Sequence, residues 1–196
     1  MRYLFFLVLS NSFCFGQIDS VKIETQPKFD AEFRMKIFHP IHFGSNFLAE
    51  SNKSNFSFGL NLDVLEYRNF IFGGGIDYSH YNVTDVTRAG DVKTTKLKNF
   101  YINLSYKQPL TDKIDFMPNI GVGYSVITYS EYRFGNQNGN NFRIGFNVDY
   151  KLNETLCLFA GTTFIYNKYT INTSPEFVSF YDNSKILQLI IGLKIY

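Results

Sequence analysis

The chain has 196 residues, 45% of them apolar and 18% aromatic, which suits one domain with a large apolar surface. A formal charge of +2, with the charged residues standing singly, excludes the basic runs of a nucleic-acid binder. Mean hydropathy of −0.12 does not decide between a soluble protein and a membrane barrel, because a spanning strand shows lipid only alternate side chains.

Residues 1–16 open with Met1 and Arg2 and continue through Tyr3, Leu4, Phe5, Phe6, Leu7, Val8 and Leu9. This is the charged start and short apolar core of a secretory signal, too short to span a bilayer as a helix. Cys14 and Gly16 place small residues three and one positions before Gln17, so cleavage is expected there. Phe13, just before Cys14, is too bulky for lipoprotein processing. Cleavage leaves Cys157 as the single cysteine and no intramolecular disulfide. Residues 17–28 are polar and read as a periplasmic lead-in, and residues 29–196 as one barrel domain.

From there the pattern has a period of two, the signature of strands. The first strand alternates Phe33, Met35 and Ile37 with Glu32, Arg34 and Lys36, and is expected to run past Pro40 to about Phe47. The second alternates Phe56, Phe58, Leu60, Leu62 and Val64 with Ser57, Gly59, Asn61 and Asp63, and a turn is predicted over residues 66–69. The third runs from Phe70 through Ile76 and Tyr78 to about Val83. The fourth sets Phe100, Ile102, Leu104 and Tyr106 against Tyr101, Asn103, Ser105 and Lys107.

The fifth strand places Phe116, Ile120, Val122, Tyr124 and Val126 opposite Asp115, Asn119, Gly121, Gly123 and Ser125, ending near Phe134. Residues 136–140 carry an Asn-Gly pair and are expected to form a hairpin loop. The sixth strand alternates Phe142, Ile144, Phe146, Val148 and Tyr150 with Arg143, Gly145, Asn147, Asp149 and Lys151. The seventh, from Leu156 to about Ile171, has a mixed pattern that assigns no face. After a long loop over residues 173–184, Leu187, Leu189, Ile191, Leu193 and Ile195 make the eighth.

Eight strands with short connections after the second, fourth and sixth, and longer ones between, describe an all-β, eight-stranded antiparallel up-and-down transmembrane β-barrel. Phe58, Leu60, Leu62, Phe100, Ile102, Leu104, Val122, Val126, Phe146 and Val148 are expected to face lipid. Tyr67, Phe70, Tyr106, Phe116 and Tyr150 would form an aromatic girdle near the turns. Tyr132, Phe134, Phe142, Tyr166 and Tyr169 would form another near the loops. Glu32, Arg34, Lys36, Asp63, Asp77, Lys107, Asp115, Glu131, Arg133, Arg143, Asp149, Lys151 and Lys194 are expected inside, with Asn61, Asn103, Asn119, Asn147 and Gln188. Both signs occur in comparable number, and an eight-stranded barrel is about wide enough for side chains to fill, so a plug of ion pairs is expected.

These features resemble the small outer-membrane β-barrel domain family, the OmpA- and OmpX-type eight-stranded barrels and their porin-like relatives, over residues 29–196. The resemblance rests on the signal segment, the strand count, the loop asymmetry and a final strand ending on an aromatic, Tyr196. It implies residence in the cell outer membrane among its lipids and folding by the outer-membrane assembly machinery. Tyr196 departs from the family pattern in being out of phase with Ile195, Leu193 and Ile191. No peptidoglycan-binding domain is expected to follow the barrel.

No catalytic, cofactor or metal residue is assigned. His39 and His42 are three apart on a strand and so point to opposite faces. Ser79 and His80 are adjacent and do the same, which works against a nucleophile and base pair. The run Gly73, Gly74, Gly75 lacks the continuation of a phosphate loop and reads as a site of strand curvature. Cys157 reads as a packing residue. The expected function is non-enzymatic, structural or mediated by the loops. A narrow pore, an outer-membrane lipid-modifying enzyme and a secreted lipocalin-like barrel turned inside out are the alternatives.

Overall fold

The computed structural model describes residues 27–29, 31–89, 92–130 and 135–196. The chain forms eight long strands: β1 (Glu32–Phe43), β2 (Asn52–Tyr67), β3 (Phe70–Val83), β4 (Thr94–Tyr106), β5 (Ile114–Tyr129), β6 (Gln137–Lys151), β7 (Leu156–Thr170) and β8 (Asn183–Ile195). Each pairs antiparallel with its sequence neighbours. β8 pairs back onto β1 from Phe33↔Ile195 to Phe43↔Lys185, so the sheet has no free side and closes into a barrel. Gln108 and Pro109 add a short pairing against Phe116 and Asp115.

Among the described residues no helix is long and apolar enough to cross a membrane. The strands, 12 to 16 residues long, exceed the roughly 9 to 11 residues a tilted crossing needs. Their two faces are chemically opposite. Phe58, Leu60, Leu62, Phe100, Ile102, Leu104, Val122, Phe146 and Val148 stand exposed on the outside, while Asp63, Asp77, Asp115, Arg143, Asp149 and Lys194 are buried inside. This is the reverse of a soluble ligand-binding barrel and puts an apolar belt where hydrocarbon would be.

Several connections differ from expectation. A bulge between Asp63 and Leu65 shifts the phase of β2, turning Leu65 and Tyr67 outward and Glu66 inward. The turn therefore shrinks to Arg68 and Asn69, both with positive φ (49° and 68°), the two-residue geometry that matches strand twist. The Asn-Gly pair forms no turn: Asn138 and Gly139 lie within β6, paired with Val126 and Ser125. Gly139 is close-packed instead, since a Cβ there would stand 2.8 Å from Tyr169 Cα. β3 runs unbroken through its three glycines, and a Cβ on Gly73 or Gly75 would stand 2.5 Å from Asp63 Oδ1 or 2.6 Å from the Tyr101 hydroxyl, so these two also leave space for neighbours.

The loops hold short helices that alternation does not reveal. β1 ends at Phe43, and α1 (Phe47–Ser51) follows, with Asn46 Oδ1 accepting from the Ala49 amide at 3.1 Å. α2 (Val86–Ala89) and α3 (Pro175–Tyr181) occupy two further loops on the same end of the barrel. At the opposite end, Lys28 and Glu66 exchange backbone hydrogen bonds of 2.8 and 2.9 Å, tying the end of the lead-in to β2. Residues 1–26 lie outside the described residues, and with them the signal segment; so do Glu131, Tyr132, Arg133 and Phe134.

One seam is short. β1 and β2 pair only from Glu32↔Asp63 to Ile37↔Phe58, whereas β1 and β8 pair over the whole of residues 33–43. Beyond Ile37, β1 holds only β8, and Pro40, which has no amide to donate, falls in that half-paired stretch.

Candidate functional site

The lumen is built in three layers. Nearest the turns, six cations (Arg34, Lys36, Lys107, Arg143, Lys151, Lys194) meet six anions (Glu32, Asp63, Glu66, Asp77, Asp115, Asp149). Arg34 Nε donates to Asp63 Oδ2 at 2.8 Å, and its two terminal nitrogens donate to Asp149 at 3.0 Å each. Lys194 Nζ lies 2.6 Å from Glu32 and 3.6 Å from Asp149. Asp77 takes Lys36 Nζ at 2.8 Å, Arg143 at 2.7 Å and Gln188 Nε2 at 3.2 Å. Charges as fully buried as Arg34, Asp77, Asp149 and Lys194 require such matched partners, and removing one leaves the other stranded.

Glycines make room for these long side chains. Lys36 shares a rung with Gly59 on β2 and Gly192 on β8. Tyr101 lies between Gly75 and Gly123, and the Arg143 guanidinium stacks on its ring at 3.5 Å. A Cβ on Gly75 would stand 2.6 Å from the Tyr101 hydroxyl. The space left among Arg34, Lys36, Tyr101 and Arg143 is a cavity of about 50 Å³, room for a few water molecules and not for a channel.

The middle layer is neutral. Ser125 Oγ lies 2.6 Å from Asn99 Oδ1 and 2.7 Å from Asn167 Oδ1, and accepts from Asn141 Nδ2 at 3.0 Å. Asn167 Nδ2 in turn donates to Ser184 Oγ at 2.9 Å. Above it the lumen is apolar: Phe47 and Leu48 of α1 plug the ring formed by Tyr81, Leu97, Ile127, Ile165, Tyr169 and Ile186. The expected polar filling thus holds for the turn-side part of the interior. Tyr169 belongs to this plug and not to the outer girdle, its hydroxyl 3.0 Å from Ser184 Oγ. Its phase decides this, being odd like Asn167 and Ile165, whereas Tyr166 faces out. Leu97, Ile127 and Ile186 also stand on the inward phase of their strands, the one sequence signal that locates the apolar layer.

Over the plug the three loop helices form a crown. Arg88 of α2 pairs with Glu50 of α1, and its carbonyl accepts from the Tyr181 hydroxyl of α3 at 2.6 Å. The Phe47 and Tyr181 rings lie 5.6 Å apart, completing the contact between α1 and α3. Asp85 caps α2, accepting from the Thr87 hydroxyl at 2.5 Å and the Thr87 amide at 3.0 Å. The hydroxyl bond, then the amide bonds, hold its carboxyl below the ordinary range. A cleft of about 1130 Å³ opens beside the crown, bordered by Arg88, Asn172, Phe177 and Tyr181.

The motif residues fall as their spacing implies. His39 faces out, while His42 faces in with its ring 5.2 Å from Tyr81. Ser79 is buried in the lumen and His80 lies on the outer face. Cys157 is buried inward, 3.3 Å from the Tyr196 hydroxyl. Lys194 Nζ sits 4.3 Å from the centre of the Tyr196 ring, so the terminal aromatic packs on the lumen side of β8, as its phase requires. Lys107 lies just beyond β4 at the turn-side rim, 3.8 Å from Glu66.

A closed sheet, an apolar exterior and a charge-matched interior define an integral membrane β-barrel of the small eight-stranded kind. Solved outer-membrane barrels share the fold. Neisserial surface protein A matches with a TM-score of 0.60 at 13% identity, over 84% of this chain and 96% of that one. A major outer membrane protein from Thermus thermophilus matches with a TM-score of 0.52 at 15% identity, over 85% and 99%. The attachment invasion locus protein Ail of Yersinia pestis matches with a TM-score of 0.50 at 9% identity, over 84% and 95%. No protein-family model and no curated protein sequence matches the chain.

Proposed function

We propose that the chain is a non-enzymatic outer-membrane protein, exported under a signal in residues 1–16, closed to solutes and acting through its loop-side crown. The observation that carries this reading is the lumen itself. Among the described residues, paired charges fill the turn-side part and an apolar plug fills the loop-side part, which supports an interior closed to solutes. Working surface is then confined to the crown and the outer wall. The pairing of the last strand with the first supports insertion by the outer-membrane assembly machinery.

Purified protein in planar bilayers tests the reading. Silence under applied voltage is the expected result, and steady unit conductances would replace the plug with a pore. Heat-modifiable gel mobility of the membrane fraction tests the barrel separately, since a closed barrel migrates differently before and after boiling.

A further inference from the structure

The outside of the barrel carries a sign asymmetry. Among the described residues, every Asp, Glu, Lys or Arg on the outward face of the eight strands is a lysine: Lys53, Lys96, Lys98, Lys168 and Lys185. All five stand toward the loop end. Acidic strand residues all face inward or lie at the turn-side rim. Charges facing lipid are tolerated only at headgroup depth, and there a mixture of signs would serve solubility equally well. One sign in one leaflet calls for anionic headgroups in that leaflet.

Three of the five form a continuous patch across β2, β3 and β4. Lys53 is opposite Asn82, His80 follows two residues along the same face, Lys96 is opposite His80, and Lys98 is two residues further along β4. Same-face neighbours two apart on a strand are separated by roughly 7 Å. Across the next seam, Lys96 meets Thr128 and Lys98 meets Val126, so no acid on the adjoining strand neutralises them. By contrast Lys168 is paired with Asp182. Directly below the patch lie Phe100, Ile76 and Ile102, which are exposed and apolar. The amines therefore sit just above an acyl-chain surface.

We propose that Lys53, Lys96 and Lys98 bind the phosphate of an acylated, phosphorylated lipid of the loop-side leaflet, whose chains lie along Ile76, Phe100 and Ile102. The scattering of these lysines along the sequence hides the patch; the β3–β4 register assembles it. This rests on the membrane reading above, and its test is arranged to fail separately.

The full-length protein is reconstituted in phosphatidylcholine vesicles doped with lipid A, extracted, and examined for retained lipid by native mass spectrometry. Wild type should keep phosphorylated lipid A and lose the dephosphorylated form. Binding should weaken about fivefold for each lysine replaced in Lys53→Gln, Lys96→Gln and Lys98→Gln. A turn-side control, Arg68→Gln with Lys113→Gln, should bind as wild type. Heat-modifiable mobility of each variant reports whether the barrel is intact, so failure of the membrane reading appears in wild type before any lipid is counted. Equal retention by the triple variant, equal loss in the control, or equal binding of dephosphorylated lipid would overturn the proposal. Displacement by inorganic phosphate alone would reassign the patch to a free anion.

Discussion

Lys36 Nζ reaches Asp77 Oδ1 at 2.8 Å through the space that a side chain on Gly59 would occupy. A methyl group at Gly59 would stand 2.5 Å from Lys36 Cε and also collide with the Asp77 carboxylate. Neither side chain is free to retreat, because each is fixed by its ion pair. Gly59→Ala should lower stability by about 1 to 3 kcal/mol in a urea titration followed by heat-modifiable mobility. Lys36→Met in the same chain should not restore it, since Asp77 still meets the methyl group.

Asp77 serves two buried cations, Lys36 and Arg143. Asp77→Asn keeps the shape and removes the charge both require, so a loss of about 3 to 5 kcal/mol is expected by the same titration. Arg88→Gln breaks a pair with Glu50 that is half exposed, and should cost about 1 kcal/mol or less. Similar losses from the two variants would contradict the burial of the lumen charges.

The plug is expected to behave as a protein core. Ile165 is fully buried in it, and Ile165→Ala should cost about 2 to 5 kcal/mol. Leu104→Ala on the outer wall leaves a gap that lipid chains fill, so no cavity adds to the loss and it should cost clearly less. A reversed order would put the apolar surface and the lumen on the wrong sides.

Asp85 gives the crown a defined acid response. Its folded pKa lies below the ordinary value, because the Thr87 hydroxyl and the α2 amides favour the carboxylate. The cap's contribution is therefore complete above the unfolded pKa of about 3.9 and is lost as pH falls through the lower folded value. Amide signals of α2 should stay constant between neutral pH and about 5 and shift only in stronger acid. Asp85→Asn should abolish that shift while leaving the strands unchanged.

Most of the wall was legible from alternation, because lipid outside and charge inside leave the strongest period-two pattern a strand can carry. Lys194, Asp149 and Arg34 could be placed inside from phase alone, although their partners could not, since Arg34 and Asp149 come from β1 and β6. The seventh strand was not readable because its inward face mixes Phe159, Ile165 and Tyr169 with Thr163 and Asn167. That mixture reflects its passage through all three lumen layers. The Asn138-Gly139 pair misled because a close strand contact selects glycine as firmly as a turn does. The loop helices escaped because each is at most seven residues long and shows no helical period.

The unequal seams around β1 bear on how this barrel comes apart. β8 is clasped along almost the whole of β1, while β2 is joined along only half of that strand. A barrel breached from the loop side would part within its first hairpin. Residues 38–43 would then swing away as a flap still fastened to β8, with the seam between β1 and β8 the last to let go.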